Sequence, residues 1–119
     1  MDAGIMKRSS YKVGWILTMF DLPVLTKTER KQATKFRKFL LDDGYVMINY
    51  SVYARPCIDW EQMRKHARRL EPAVPCAGNV RVMFITDKQW KDELVVIGKD
   101  YKDEHTQKLP DMPEQLAFW

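Results

Sequence analysis

Hydrophobic residues in this chain come in short runs whose spacing alternates between the strand period of two and the helical period near 3.6. The first run, Val13 to Phe20, is rich in Val, Ile, Trp and Phe and predicts a strand. Val13, Trp15, Leu17 and Met19 would line one face and Ile16 and Phe20 the other, so neither face is suited to water. Asp21-Leu22-Pro23 ends the run, because proline has no N–H to give the ladder. Thr26-Lys27-Thr28-Glu29 reads as a capping box, opening a helix over 27–43 that stops at Gly44. Ala33, Phe36, Phe39 and Leu40 share one side of that helix, while Lys27, Arg30, Lys31, Lys35 and Lys38 spread over the opposite side.

After Gly44 the stretch YVMINYSVYARP predicts strands at 45–49 and 51–55, joined by a tight turn or bend and ended by Pro56. Asp59-Trp60-Glu61-Gln62 is a second capping box, and the helix it opens spans 59–71. Trp60, Met63, Ala67 and Leu70 form its apolar stripe, with Arg64, Lys65, Arg68 and Arg69 off the stripe. Residues 79–86 predict a strand, 87–89 a polar turn, and 94–97 a short fifth strand. The order is α+β: a ferredoxin-like βαββαβ unit with an extra C-terminal strand, in which right-handed crossovers place both helices on one sheet face. The domain is expected over 1–97, with 98–119 as a polar tail that ends in Leu116, Phe118 and Trp119. Two helices cover one sheet face only, so the doubly apolar first strand predicts a homodimer through the other.

Length and charge narrow the classes. A chain of 119 residues suffices for one self-supporting domain. No apolar stretch approaches the roughly 20 residues of a membrane span, and the start has no secretory pattern, so a cytoplasmic protein is expected. Residues 1–97 carry 17 basic and 11 acidic groups, net +6, and the last 22 carry 3 and 5, net −2. Such a body invites a polyanion partner. Cys57 and Cys76 have neither the spacing nor the histidine neighbours of a zinc site and read as inert thiols. No Walker, HExxH, GxSxG or GxGxxG pattern occurs. His66 and His105 read as solvated side chains.

Asp21 is the acid best placed for chemistry, because it follows an apolar strand and projects at a sheet edge. It either caps the turn before Pro23 or aims a carboxylate at a divalent ion; one carboxylate is a poor Mg²⁺ site, whereas two brought together by a dimer axis could share an ion. The basic residues are likewise either a solvated helix surface or a track for phosphates. Arg64, Lys65, Arg68 and Arg69 beside Lys27, Arg30, Lys31, Lys35 and Lys38 favour the track, which would read backbone and shape.

The apolar strand ending Phe20-Asp21-Leu22-Pro23, the basic first helix, and Gly44-Tyr45 leading to Ser51-Val52-Tyr53 resemble CRISPR-associated protein two, the smaller spacer-acquisition protein. The resemblance covers about residues 11–98, and Met112 to Trp119 is similar to the C-terminal segment of type II members. Asn49 departs from the pattern, where Gln is expected, and Met6 allows residues 1–5 to be a start-site extension. The resemblance implies a homodimer in which the two Asp21 side chains face each other and bind Mg²⁺ or Mn²⁺. It implies an endonuclease on RNA or DNA. It also implies an architectural role: bridging two dimers of the CRISPR integrase around duplex DNA during spacer acquisition. The tail, through Leu116, Phe118 and Trp119, would then dock on the integrase or pack on its own dimer. A single-strand RNA-binding module shares the same strand order and stands as a third reading.

Overall fold

The computed structural model describes residues 13–102 and 111–113. The expectations for Met6, His105, Leu116, Phe118 and Trp119 lie outside the described residues.

Strand β1 (Gly14–Asp21) runs inside the sheet, antiparallel to β3 (Val52–Cys57) on one side and to β4 (Asn79–Thr86) on the other; β2 (Val46–Asn49) pairs with β3 at the far edge. The strand order is β2-β3-β1-β4. Helices α1 (Lys27–Asp42) and α2 (Trp60–Leu70) bury their apolar sides in the same cluster, where Phe36, Leu40, Met63 and Leu70 meet Ile16, Phe20 and Tyr53 of the sheet. Both helices therefore lie on one face, which is the ferredoxin-like arrangement.

Local signals explain most boundaries. The capping box forms at α1: Glu29 N–H donates to Thr26 Oγ1 and Thr26 N–H donates to Glu29 Oε1. Gly44 follows at φ 92°, a left-handed conformation that a side chain would resist. At α2 only half of the box forms. Gln62 N–H donates to Asp59 Oδ1, but the Gln62 side chain accepts from Ile58 N–H instead of Asp59. The bend between β2 and β3 is held by Asn49, whose Oδ1 accepts from Ser51 N–H, beside a register shift between Met47 and Asn49.

Four expectations are corrected. Pro56 does not end the third strand: β3 continues through Pro56 to Cys57. Residues 87–89 are not a turn but part of α3 (Asp87–Lys91), whose own capping box, Thr86 with Gln89, was legible in the sequence. Residues 94–97 are not a strand. Leu94, Val95, Val96 and Ile97 are exposed, and a strand needs a ladder neighbour that none of the described residues supplies. The second sheet face is also not left wholly to another subunit. Trp90 of α3 stacks on Trp15 with ring centroids 4.5 Å apart, Trp15 Nε1–H donates to Asp87 Oδ1 over 3.2 Å, and Met112 packs on the same cluster. What stays open on that face is its β4 side, where Met83, opposite Leu17, and Arg81 and Asn79, toward the end of β1, are exposed.

Candidate site at the end of β1

Ile16 and Phe20 belong to the helix-side cluster and Trp15 to the opposite one, so strand alternation places Asp21 on the face away from the helices. It is exposed there, and among the described residues no hydrogen bond or ion pair engages its carboxylate. The turn-capping reading of Asp21 is thereby set aside. The β1–β4 register puts Asp21 opposite Asn79 and Met19 opposite Arg81, so Asn79 and the exposed Arg81 share the open face with Asp21. Neither is recognisable from its own segment, because only the antiparallel pairing of two distant strands brings them there.

The strand end is held from several sides. Phe20 N–H donates to Ser51 O at 2.9 Å. Arg37 donates from Nε to Tyr50 O and lies over the rings of both Phe20 and Tyr50. Arg30 donates to Val24 O and Leu25 O at 3.1 and 3.0 Å, which fixes the loop after Asp21. Leu22 is buried behind the site, and a Cβ on Gly78 would come within 2.6 Å of its Cδ2. The carboxylate thus sits on a well-supported backbone, with no partner among the described residues.

The described residues of one protomer do not by themselves make a magnesium site. Among the described residues no group of three His, Cys, Asp or Glu side chains could hold a metal ion, and a single exposed carboxylate falls short of the several oxygens Mg²⁺ requires.

The basic residues divide into engaged and unengaged. Arg30 is occupied by the loop carbonyls, Lys38 pairs with Asp42 at 3.0 Å, and Arg69 pairs with Asp43. Lys27, Lys31, Lys35, Arg64, Lys65 and Arg68 are exposed, and no described carboxylate pairs with them. Arg64 lies over the Trp60 ring, 5.2 Å from its centroid. Trp60 is itself a correction: expected in the apolar stripe, it is 55% exposed.

A second carboxylate site was not anticipated from the sequence. Asp43, at the end of α1, has a side chain only 6% exposed. Its Oδ2 meets His66 Nδ1 at 3.1 Å, and Arg55 and Arg69 reach it as well. His66 is buried, which corrects the solvated reading; burial first, and the Arg55 charge second, push its pKa down. An acid at a helix C-terminus opposes the helix dipole, and that misplacement was the available signal. Cys57 is buried, with its thiol pushed up to about 12 by burial, and Cys76 is exposed; both are free thiols. No helix among the described residues is long and apolar enough to cross a membrane.

Residues 14–93 match the family model described as CRISPR associated protein Cas2. A protein of Paracidovorax avenae named CRISPR-associated endoribonuclease Cas2 is 42% identical over 103 residues, covering 87% of this chain and 94% of the relative. A Parvibaculum lavamentivorans protein of the same name is 45% identical over 105 residues, covering 88% and 99%. Among solved structures, Streptococcus pyogenes Cas2 superposes with a TM-score of 0.55 at 19% identity, covering 71% of this chain and 99% of that one. The last likeness supports the fold.

Proposed function

This chain belongs to the CRISPR-associated Cas2 family, and from that premise we propose that it is a homodimeric subunit of CRISPR adaptation that holds duplex DNA by its phosphates between integrase dimers. The observation that carries this reading is the set of exposed cations that no described carboxylate pairs with, Lys27, Lys31 and Lys35 on α1 and Arg64 and Arg68 on α2. Two helices on one sheet face can present them to one polyanion. The exposed Met83 on the other face, together with the exposed run Leu94 to Ile97, supports a second copy as the cover. The tail, 98–119, is the segment we assign to docking on the integrase.

A second reading, an endonuclease on RNA or DNA, is favoured by the position of Asp21. No described residue pairs with it on the face that a second copy would cover, and the relatives above are named endoribonucleases. Two Asp21 carboxylates, with the Asn79 amide oxygens beside them, would form the oxygen-rich set that one protomer lacks, and Mg²⁺ or Mn²⁺ bound there would supply Lewis acidity.

The test is binding of a labelled DNA duplex by the full chain over a range of salt. Replacing Lys27, Lys31 and Lys35 with Gln should lower affinity for all sequences alike. It should also flatten the log–log salt slope by about 0.9 for each phosphate no longer neutralised. An unchanged slope would return these lysines to plain solvation. The nuclease reading is tested separately: any Mg²⁺- or Mn²⁺-dependent cleavage should vanish in Asp21→Asn, and persistence would locate it elsewhere.

A further inference from the structure

Trp60 opens α2 yet stands outside the core, 55% exposed. The helix reaches the interior without it, through Met63, His66 and Leu70. An indole is among the largest apolar surfaces a side chain can bury, so one left half open at a helix start is a candidate contact surface. It is braced by the Arg64 guanidinium, 5.2 Å from the ring centroid. Trp60, Arg64 and Arg68 recur every four residues, so they form one line about 12 Å long on the helix surface, with Lys65 beside it. The opposite margin of α2 is already engaged, since His66 and Arg69 meet Asp43.

We propose that this ridge of α2 binds single-stranded nucleic acid, with Trp60 stacking an unpaired base while Arg64, Lys65 and Arg68 take the adjoining phosphates. An aromatic platform among cations suits a strand whose base faces are free; in a duplex those faces are hidden and the indole has nothing to stack on. Charge excludes the chain's own start as the occupant. Residues 1–12 hold Lys7, Arg8 and Lys12 against Asp2, and so carry the same sign as the ridge. Residues 103–119 hold four acids and one lysine and could pair with the cations, but they have no base to place on the braced indole. The inference shares Arg64 and Arg68 with the duplex reading but adds Trp60 and a ligand with free base faces, so the Trp60 variants separate it from the duplex and Asp21 readings.

The test is fluorescence anisotropy with the full chain in EDTA, using labelled oligothymidylate of about 12 nucleotides, within the span such sites cover. Binding by the wild type is expected. Trp60→Ala should weaken it about tenfold or more, and Trp60→Leu should weaken it similarly, because leucine keeps apolar bulk without a π face. Trp60→Phe should retain most of the affinity, and none of the three should alter duplex binding. Arg64→Gln with Arg68→Gln should flatten the single-strand salt slope by about 0.7 for each phosphate no longer neutralised. Far-UV circular dichroism confirms the fold of each variant, and Trp60→Leu carries the test if Trp60→Ala misfolds. The proposal is overturned by no binding of oligothymidylate, by equal losses of the Trp60 variants on single strand and duplex, or by unaltered affinity in Trp60→Ala and Trp60→Leu. It is overturned too if a peptide of residues 103–119 binds the ridge and the oligothymidylate does not.

Discussion

Asp21 and Asp43 are both aspartates at the end of a secondary-structure element, and the fold treats them in opposite ways. Asp43 ends α1 inside the molecule, where His66, Arg55 and Arg69 converge on a side chain only 6% exposed. Asp21 ends β1 in solvent, and no described residue meets its carboxylate. A buried carboxylate must be paired, since an unpaired charge in low dielectric is costly. Asp43 accordingly ties α1 to β3 and α2, and its chemistry is used up by the fold. An exposed carboxylate has no such obligation. Asp21 leaves its lone pairs open to solvent, and its backbone is braced by Phe20 N–H bonding Ser51 O and by Arg30 holding the next loop. Engagement, rather than residue type, separates the structural acid from the candidate functional one.

The sharpest test of that contrast is Asp43→Ala, which strands Arg55 beside a buried void and frees Arg69. It should cost about 3 kcal/mol, read as a lower urea midpoint. A loss under about 1 kcal/mol would mean that the cluster is as weak as a surface pair.

The pH dependence comes next in size. Because His66 has its folded pKa held below the ordinary value of 6.5, the unfolded chain binds the proton more readily. Its contribution to stability is therefore complete above about pH 6.5 and is lost as pH falls through the folded pKa, with a slope of at most about 1.4 kcal/mol per pH unit. Urea midpoints from about pH 8 to about pH 5 should show this fall, and His66→Asn should flatten it. An unchanged slope in that variant would place the titration elsewhere.

The immediate neighbour supplies a smaller control. Asp42 pairs with Lys38 across one turn with both side chains mostly exposed, so Asp42→Asn should cost about 0.3 kcal/mol, roughly a tenth of the effect at Asp43. The smallest effect on stability is expected at Asp21. Asp21→Asn should leave the urea midpoint within about 0.5 kcal/mol of wild type while removing any metal-dependent cleavage. A stabilising or destabilising change well beyond that would show an engagement of Asp21 and weaken the contrast.

Local sequence determined most of the frame. Thr26 with Glu29 starts α1, Gly44 ends it, and the alternation of Val80, Val82 and Phe84 with Arg81 and Met83 marks β4. Each signal depends on neighbours a few residues apart, so it survives in the sequence. Even α3 was encoded that way, by Thr86 and Gln89, although a five-residue helix has too little periodicity to be seen in its apolar pattern. Asp21 too was legible, because an acid after an apolar strand is a local pattern. Tertiary structure alone decided three things. It set Asn79 and Arg81 on the same face as Asp21, through pairing between strands about 60 residues apart. It closed Asp43 with groups from β3 and α2, and it turned Trp60 outward although helical spacing had grouped it with Met63 and Leu70. Periodicity gives the angle of a side chain around its own helix, whereas burial depends on what neighbouring elements reach it: Met63 is buried, and Trp60, three residues earlier, is 55% exposed.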